Sequence, residues 1–219
     1  MDGQRRDQGC AGRGLARARV VAVLCAALSG SALASCDDGG VADDSPSSDV
    51  ADVEACDAVR EWDADARRFE ERVVALINEE RRRGGRCGDT TFPPLAALRV
   101  DPSLRCAARV HAVDMQASGY VGYANPDDPE ALNTNQRLRL AGYPPATFVE
   151  TVGAGWTSAD DAVHEWLNNE SHCWKFMTTE LDQIGVGVYA AGPPLGAGEE
   201  GMDDVDYGTY WDLLIATPN

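Results

Sequence analysis

The spacing of hydrophobic and polar positions changes several times along the chain, and each change marks an element. Between Asp63 and Arg83, apolar side chains recur every three or four residues, as on a helix with one buried face. This stripe consists of Phe69, Val73, Leu76 and Ile77. Three arginines and two glycines at residues 81–85 supply C-terminal positive charge and a stop. We predict a first helix over residues 63–83 and assign the arginines to the helix dipole rather than to nucleic-acid binding.

A second helical pattern begins at Asp101-Pro102, an N-cap residue followed by proline in the first turn, and closes at Gly119. Its apolar stripe consists of Leu104, Ala107, Ala108, His111, Ala112 and Met115. Because His111 lies on this stripe, we interpret it as a hydrogen-bonded packing residue rather than a ligand.

The second half of the chain mixes short helical patterns with alternating ones. We predict a helix over residues 129–140, a strand and turn over 149–155, and a helix that begins near Ser158 and contains Trp166. Residues 183–190 alternate apolar side chains with glycine, and residues 207–217 form an apolar final strand. The glycine-rich and acidic residues 192–206 predict a loop. This order of elements indicates an α+β domain.

The first 35 residues have the composition of a bacterial export signal. Five arginines precede a short apolar run, and Leu33-Ala-Ser-Cys36 resembles a lipobox, in which the cysteine is acylated. We therefore predict a lipoprotein signal peptide at residues 1–35, with Cys36 as the lipidated residue. An ordinary secretory signal with a chance cysteine is the alternative. We predict that residues 36–60 form an acidic, disordered tether and that residues 61–219 form a single domain.

Charge restricts the partners of this domain. The whole chain has a formal net charge of −17, and because residues 1–35 are net basic, the remainder carries 14 basic and 34 acidic residues. Such a surface repels phosphate backbones, which argues against nucleic acid as a partner. The only lysine is Lys175.

Four cysteines remain after the signal and Cys36: Cys56, Cys87, Cys106 and Cys173. An even number in an exported domain predicts two disulfides rather than a metal cluster or a nucleophile. Four cysteines allow three pairings, and spacing alone does not choose among them. A thiol nucleophile at Cys173, beside His172, is disfavoured for the same reason.

One short stretch resembles a known catalytic motif but lacks one of its metal ligands. His164-Glu165 begins like the zinc-protease signature His-Glu-x-x-His, but residue 168 is asparagine, so the second ligand is missing.

The stretch from 150 to 190 carries a family resemblance. Glu150-Thr-Val-Gly, Trp166, His172-Cys173 and Ile184-Gly-Val-Gly follow one another in an order similar to the centre of the CAP superfamily, also called the SCP domain. The resemblance covers residues 68–217. It implies an α-β-α sandwich in which helices flank a small, mainly antiparallel sheet, and it favours the pairings Cys87 with Cys173 and Cys56 with Cys106.

CAP proteins hold two histidines and two acidic residues in a cleft that binds a divalent metal in some members. Here Glu150 and His172 match two of these positions, Tyr123 replaces the other histidine, and no acidic residue clearly fills the last place. We therefore expect either no cofactor or a weakly bound divalent metal such as zinc. Our preferred interpretation of Tyr123, Glu150 and His172 is a hydrogen-bonded network rather than a catalytic or metal site.

Three functions are compatible with this sequence. The first is a noncatalytic binding or interaction module, monomeric and anchored by lipid in the bacterial cell envelope, whose partner is an envelope protein or a lipid. The second is a metal-assisted hydrolase or protease that uses Glu150 and His172. The third is a structural envelope protein with a vestigial cleft.

Overall fold

A computed structural model describes residues 49–190 and 207–219. Its helices are a short 3-10 helix η1 (Glu54–Val59), α1 (Ala64–Arg83), α2 (Pro102–Ser118), α3 (Thr134–Leu140), α4 (Ala159–Asn168) and α5 (Glu170–Phe176). Its strands are β1 (Gly85–Cys87), β2 (Thr90–Phe92), β3 (Arg99–Val100), β4 (Pro145–Ala154), β5 (Gln183–Ala190) and β6 (Thr209–Pro218). The predicted signal peptide, Cys36 and the predicted loop 192–206 lie outside the described residues.

Four of the strands form the central sheet, in the order β3-β5-β6-β4. The β5–β6 and β6–β4 pairs are antiparallel, while the two-residue β3 pairs with β5 in parallel. Alternate residues of β6 point to opposite faces of the sheet. Trp211, Leu213 and Ile215 lie in the core shared with α1 and α4, whereas Leu214 and Ala216 lie in the core shared with α2 and α3. The molecule is therefore an α-β-α sandwich with a mainly antiparallel sheet, as predicted.

Glycine in β5 allows α2 to lie directly against the sheet. A Cβ atom added to Gly185 would come within 2.2 Å of the Leu104 backbone, and one added to Gly187 within 2.3 Å of the Ala108 backbone. Any larger residue would push the helix away. The alternation of glycine and aliphatic residues in β5 thus places α2 on one face and the apolar core on the other.

Two disulfides connect the outer elements to this frame. Cys56 of η1 is bonded to Cys106 of α2, and Cys87 of β1 is bonded to Cys173 of α5. The prediction of two disulfides is confirmed, and the pairing is the one that the family resemblance implies.

The structure differs from the sequence-based expectations in several local features. Residues 49–60, expected to belong to the tether, are folded: Val50 and Val59 are buried, and η1 lies in this segment. The predicted loop after α1 contains the β1–β2 hairpin. The third helix begins at Thr134 rather than 129, because Asn133 and Gln136 form a capping box there.

None of the helices among the described residues has the length and apolar character required to cross a membrane.

Candidate functional site

Glu150 lies in β4 with its carboxylate directed into the molecule. The residue is only 6% exposed, and both carboxylate oxygens accept hydrogen bonds. Arg137 Nη2 donates to Oε1 at 2.5 Å, and the Thr134 hydroxyl donates to Oε2 at 2.5 Å. Arg137 also donates to the backbone carbonyls of Tyr123 and Leu132, which fixes the guanidinium in place. Helix α3 therefore supplies both groups that hold the Glu150 carboxylate.

A second carboxylate, Asp212, lies beside Glu150 in the interior. Val152 and Asp212 are paired across β4 and β6, so Glu150 and Asp212 are diagonal neighbours on the same face of the sheet. Asp212 is fully buried, and neither of its oxygens has a hydrogen-bond donor among the described residues. Burial and the neighbouring Glu150 carboxylate raise the pKa of Asp212 well above its usual range.

His111 of α2 completes this interior group. One ring nitrogen of His111 and one oxygen from each of Glu150 and Asp212 all lie within 4.8 Å of one another. His111 Nε2 lies 2.8 Å from the carbonyl oxygen of Gly122, so Nε2 carries the proton and Nδ1 has a free lone pair. Burial, together with the charge of Arg137, lowers the pKa of His111 to about 4, so the ring is neutral at neutral pH.

The surface above this group is formed by Tyr123, Lys175 and His172. The Lys175 ammonium donates to the backbone carbonyl of Glu150 at 2.5 Å and to the Tyr123 hydroxyl at 3.1 Å, and it lies 5.3 Å from the centre of the Tyr123 ring. The Tyr123 side chain is exposed. Partial burial and the nearby Lys175 charge lower the pKa of His172. We call the surface of these three residues the cleft.

The predicted network of Tyr123, Glu150 and His172 takes a different form in the structure. The Tyr123 hydroxyl bonds to Lys175, and the Glu150 carboxylate bonds to Thr134 and Arg137. Within residues 49–190 and 207–219, no side-chain hydrogen bond joins His172 to either of the others. The imidazole that lies near the Glu150 carboxylate is that of His111, which the sequence analysis treated only as a packing residue.

The cleft residues do not fit the divalent metal that the family resemblance implies. The Lys175 ammonium already lies against Tyr123 and the Glu150 carbonyl, and a second cation there would be repelled. The Glu150 carboxylate is directed away from the cleft toward Arg137 and Thr134. Tyr123, Glu150 and His172 therefore do not form a metal site in this arrangement.

Sequence reasoning missed Asp212 and Arg137 as partners of Glu150, although each left a signal. Asp212 is the only charged residue in the otherwise apolar run from Tyr210 to Ile215, and a charge in a strand buried on both faces requires a partner. Which residue lies beside Asp212, however, depends on the pairing register of β4 and β6, and local sequence does not determine that register.

Comparisons with known proteins agree with this architecture. Residues 74–194 match the family described as "CAP: Cysteine-rich secretory protein family". The uncharacterized protein YkwD of Bacillus subtilis is 26% identical over 124 residues, which are 57% of this chain and 44% of that protein. The chain thus spans less than half the length of this curated relative.

Two solved structures resemble this chain to different degrees. An extracellular SCP-domain protein from Bacillus anthracis has a TM-score of 0.53 and 19% identity, over 71% of this chain and 44% of that one. An outer surface protein from Borrelia burgdorferi has a TM-score of 0.49 and 16% identity, over 68% of this chain and 92% of that one. The match to the family extends over more than half of the sequence and includes Glu150, His172 and helix α2. The chain belongs to the CAP family.

Proposed function

We propose that this protein is exported and held at the bacterial cell envelope by a lipid on Cys36, where its CAP domain acts as a noncatalytic binding module. The signal-like residues 1–35 and the lipobox-like Leu33–Cys36 support export and anchoring. One similar solved structure is that of an extracellular SCP-domain protein, in agreement with export.

One observation carries the noncatalytic assignment: both oxygens of the Glu150 carboxylate are engaged by Arg137 and Thr134 inside the molecule. A general base must reach the proton that it removes, within about 3 Å or through one water. The Glu150 carboxylate is buried and directed toward α3, so it is a structural group beneath the cleft rather than a base within it.

The cleft instead offers a contact surface. The Tyr123 ring is 47% exposed and is held by the Lys175 ammonium, so little side-chain entropy is lost when a partner covers it. Aromatic residues of this kind contribute strongly to protein interfaces. The partner in this proposal is an envelope protein or a lipid.

Cosedimentation of the mature Cys36→Ser protein with purified envelopes tests the proposal. Tyr123→Ala should weaken binding at least about tenfold, as expected for loss of an interface anchor. Tyr207→Ala is the matched control, because Tyr207 is 40% exposed and lies outside the cleft. Equal binding by the two variants, or no binding by the parent protein, would exclude the cleft as a binding surface.

The anchoring part has its own measurement. The intact mass of the native protein should correspond to a chain that begins at Cys36 and carries a lipid, and Cys36→Ser should release the protein into the soluble fraction. A native mass without lipid, or membrane retention of the variant, would contradict the anchor.

A metal-assisted hydrolase acting through Glu150 and His172 is the second candidate. The lowered pKa of His172 favours it, because a neutral imidazole can accept a proton. Peptide hydrolysis by the parent protein that is lost in a folded His172→Ala variant would establish this activity. If both proteins hydrolyse the peptide no faster than a control without protein, the binding module is favoured. A His172→Ala variant that fails to fold indicates a structural role.

A further inference from the structure

Three buried acceptor atoms of His111 and Asp212 have no hydrogen-bond donor among the described residues. They are Nδ1 of His111 and both oxygens of Asp212. His111 and Asp212 are fully buried. A buried polar atom without a partner costs roughly 1–3 kcal/mol, so three in one place require an explanation.

The charges at this point would not balance if both carboxylates were ionised. Glu150 and Asp212 bring two carboxylates, and Arg137 is the cation bonded to them, through Glu150. His111 adds no charge, because the buried ring is neutral at neutral pH, and its Nε2 donates to the Gly122 carbonyl. If both carboxylates are ionised, the interior group lacks one positive charge, and an uncompensated buried charge is strongly unfavourable.

A single proton corrects the charge but not the unpaired acceptors. A protonated Asp212 has one hydroxyl donor, which can satisfy one neighbour, either Glu150 or His111. The other neighbour would receive no hydrogen bond from Asp212, and the second Asp212 oxygen would still lack a donor. One cation placed among the three residues can contact an acceptor atom of each of them. A divalent ion changes the net charge of the ionised group, Arg137 included, from −1 to +1.

The surroundings orient the three side chains as metal ligands are usually oriented. A metal-bound histidine commonly donates its other ring N–H to a backbone carbonyl, and His111 does so to Gly122. Ligating carboxylates are themselves usually hydrogen-bonded, as Glu150 is to Thr134 and Arg137. These bonds hold the ligands from α2 and β4, and the buried β6 holds Asp212.

We propose that His111, Glu150 and Asp212 bind one divalent transition-metal cation in a buried site beneath the cleft. An imidazole with two carboxylates suits zinc, whereas magnesium and calcium prefer oxygen ligands alone. Zinc ligands roughly 2.1 Å from the ion stand about 3.4 Å apart in tetrahedral geometry. The ligand atoms here lie within 4.8 Å of one another, so binding draws them together by up to about 1.4 Å. This site is independent of the binding role proposed for the cleft.

The test uses the mature Cys36→Ser protein, freed of metal with a chelator and titrated with zinc by calorimetry. Bound metal is then counted by mass spectrometry after gel filtration. We expect one equivalent of zinc and a rise in Tm of about 5–10 °C when free zinc is 100-fold above Kd. Cobalt in place of zinc should give the visible absorption of a site with nitrogen and oxygen ligands and no sulfur.

Two near-isosteric variants locate the site. Asp212→Asn removes the carboxylate at constant size, and His111→Gln keeps a donor for Gly122 while removing the Nδ1 lone pair. Each should bind zinc at least about 100-fold more weakly while circular dichroism shows a folded protein. His164→Ala is the matched control, since this histidine lies exposed on α4 and should leave binding unchanged.

Contrary outcomes are equally specific. Zinc binding that is lost in His172→Ala and retained in Asp212→Asn belongs to the cleft and overturns the proposal. A parent protein that binds no zinc and is stabilised by Asp212→Asn contains a shared proton instead of a metal, which also overturns it. Zinc that is still bound by both folded interior variants, Asp212→Asn and His111→Gln, also overturns the proposal.

Discussion

Arg137 is the residue on which the interior of the site depends. Its guanidinium is nearly fully buried, pairs with Glu150 and donates to the carbonyls of Tyr123 and Leu132. One side chain of α3 therefore fixes the carboxylate of β4 and the backbone of the segment that presents Tyr123. Removal of this cation would leave the Glu150 carboxylate buried and partly unpaired, next to Asp212.

Arg137→Gln should accordingly lower the free energy of unfolding by about 3–5 kcal/mol, which is the cost of breaking one side of a buried ion pair. Arg139→Gln is the matched control on the same helix, because the Arg139 side chain is exposed and donates to its helix neighbour Asn135. It should change stability by less than about 0.5 kcal/mol. Denaturant unfolding of the metal-free proteins measures both, and equal stabilities would mean that Glu150 does not need this partner.

At the scale of elements, the close contact of α2 with β5 determines where His111 lies. The helix lies on Gly185 and Gly187, whose missing side chains leave room for the helix backbone. The same contact brings His111 toward Glu150 and Asp212 in the sheet. A small change in β5 should therefore disturb both packing and the site.

Gly187→Ala should destabilise the protein by about 1–3 kcal/mol, because the new Cβ would lie 2.3 Å from the Ala108 backbone and α2 would have to move. Gly122→Ala provides the comparison: its Cβ would meet nothing closer than 3.6 Å, which is ordinary van der Waals contact. Thermal and denaturant unfolding of the two variants give the result. Similar stability for both would show that α2 adjusts to the extra methyl group without loss.

How much of this arrangement the sequence predicts depends on the range of the interaction. Helices α1 and α2 and the strands β5 and β6 follow from local periodicity, which is strong because each element buries a defined face. The partners of Glu150 do not, because Arg137 and Asp212 meet it through helix packing and strand register. The family resemblance places Tyr123 and His172 in the same network, but Lys175, three residues after His172, changes what Tyr123 contacts.

At the scale of the whole molecule, a disulfide and an ion pair hold residues 49–60 against the rest of the domain. The Cys56–Cys106 disulfide joins η1 to α2. Asp49 pairs with Arg109, which is fully buried and also bonded to Glu70 of α1. The expected disordered tether therefore cannot extend to residue 60, because residues 49–60 are part of the folded unit. An acidic segment looks disordered in composition, yet Asp49 has a buried cation available from α2.

The Asp49 contact should make stability depend on pH. Burial alone would raise the pKa of the Asp49 carboxyl, but the hydrogen bond from Arg109 and the charges of Arg109, Arg67 and Arg105 hold it below its ordinary value of 3.8. Because the folded-state pKa is lowered, this contribution is present above the unfolded value near 4 and is lost as pH falls through the folded value.

Asp49→Asn should therefore cost about 1–2 kcal/mol of unfolding free energy at pH 7, a value reduced by solvent screening at this partly exposed carboxylate. The difference from the parent protein should shrink as pH falls below 4, when the parent's own carboxyl is protonated. Asp52→Asn is the matched control, because Asp52 is almost fully exposed beside Arg60 and should have little effect at either pH. Denaturant unfolding at pH 7 and pH 3 distinguishes the cases: a cost for Asp49→Asn that stays constant with pH would mean that the carboxylate charge does not fasten this segment to α2.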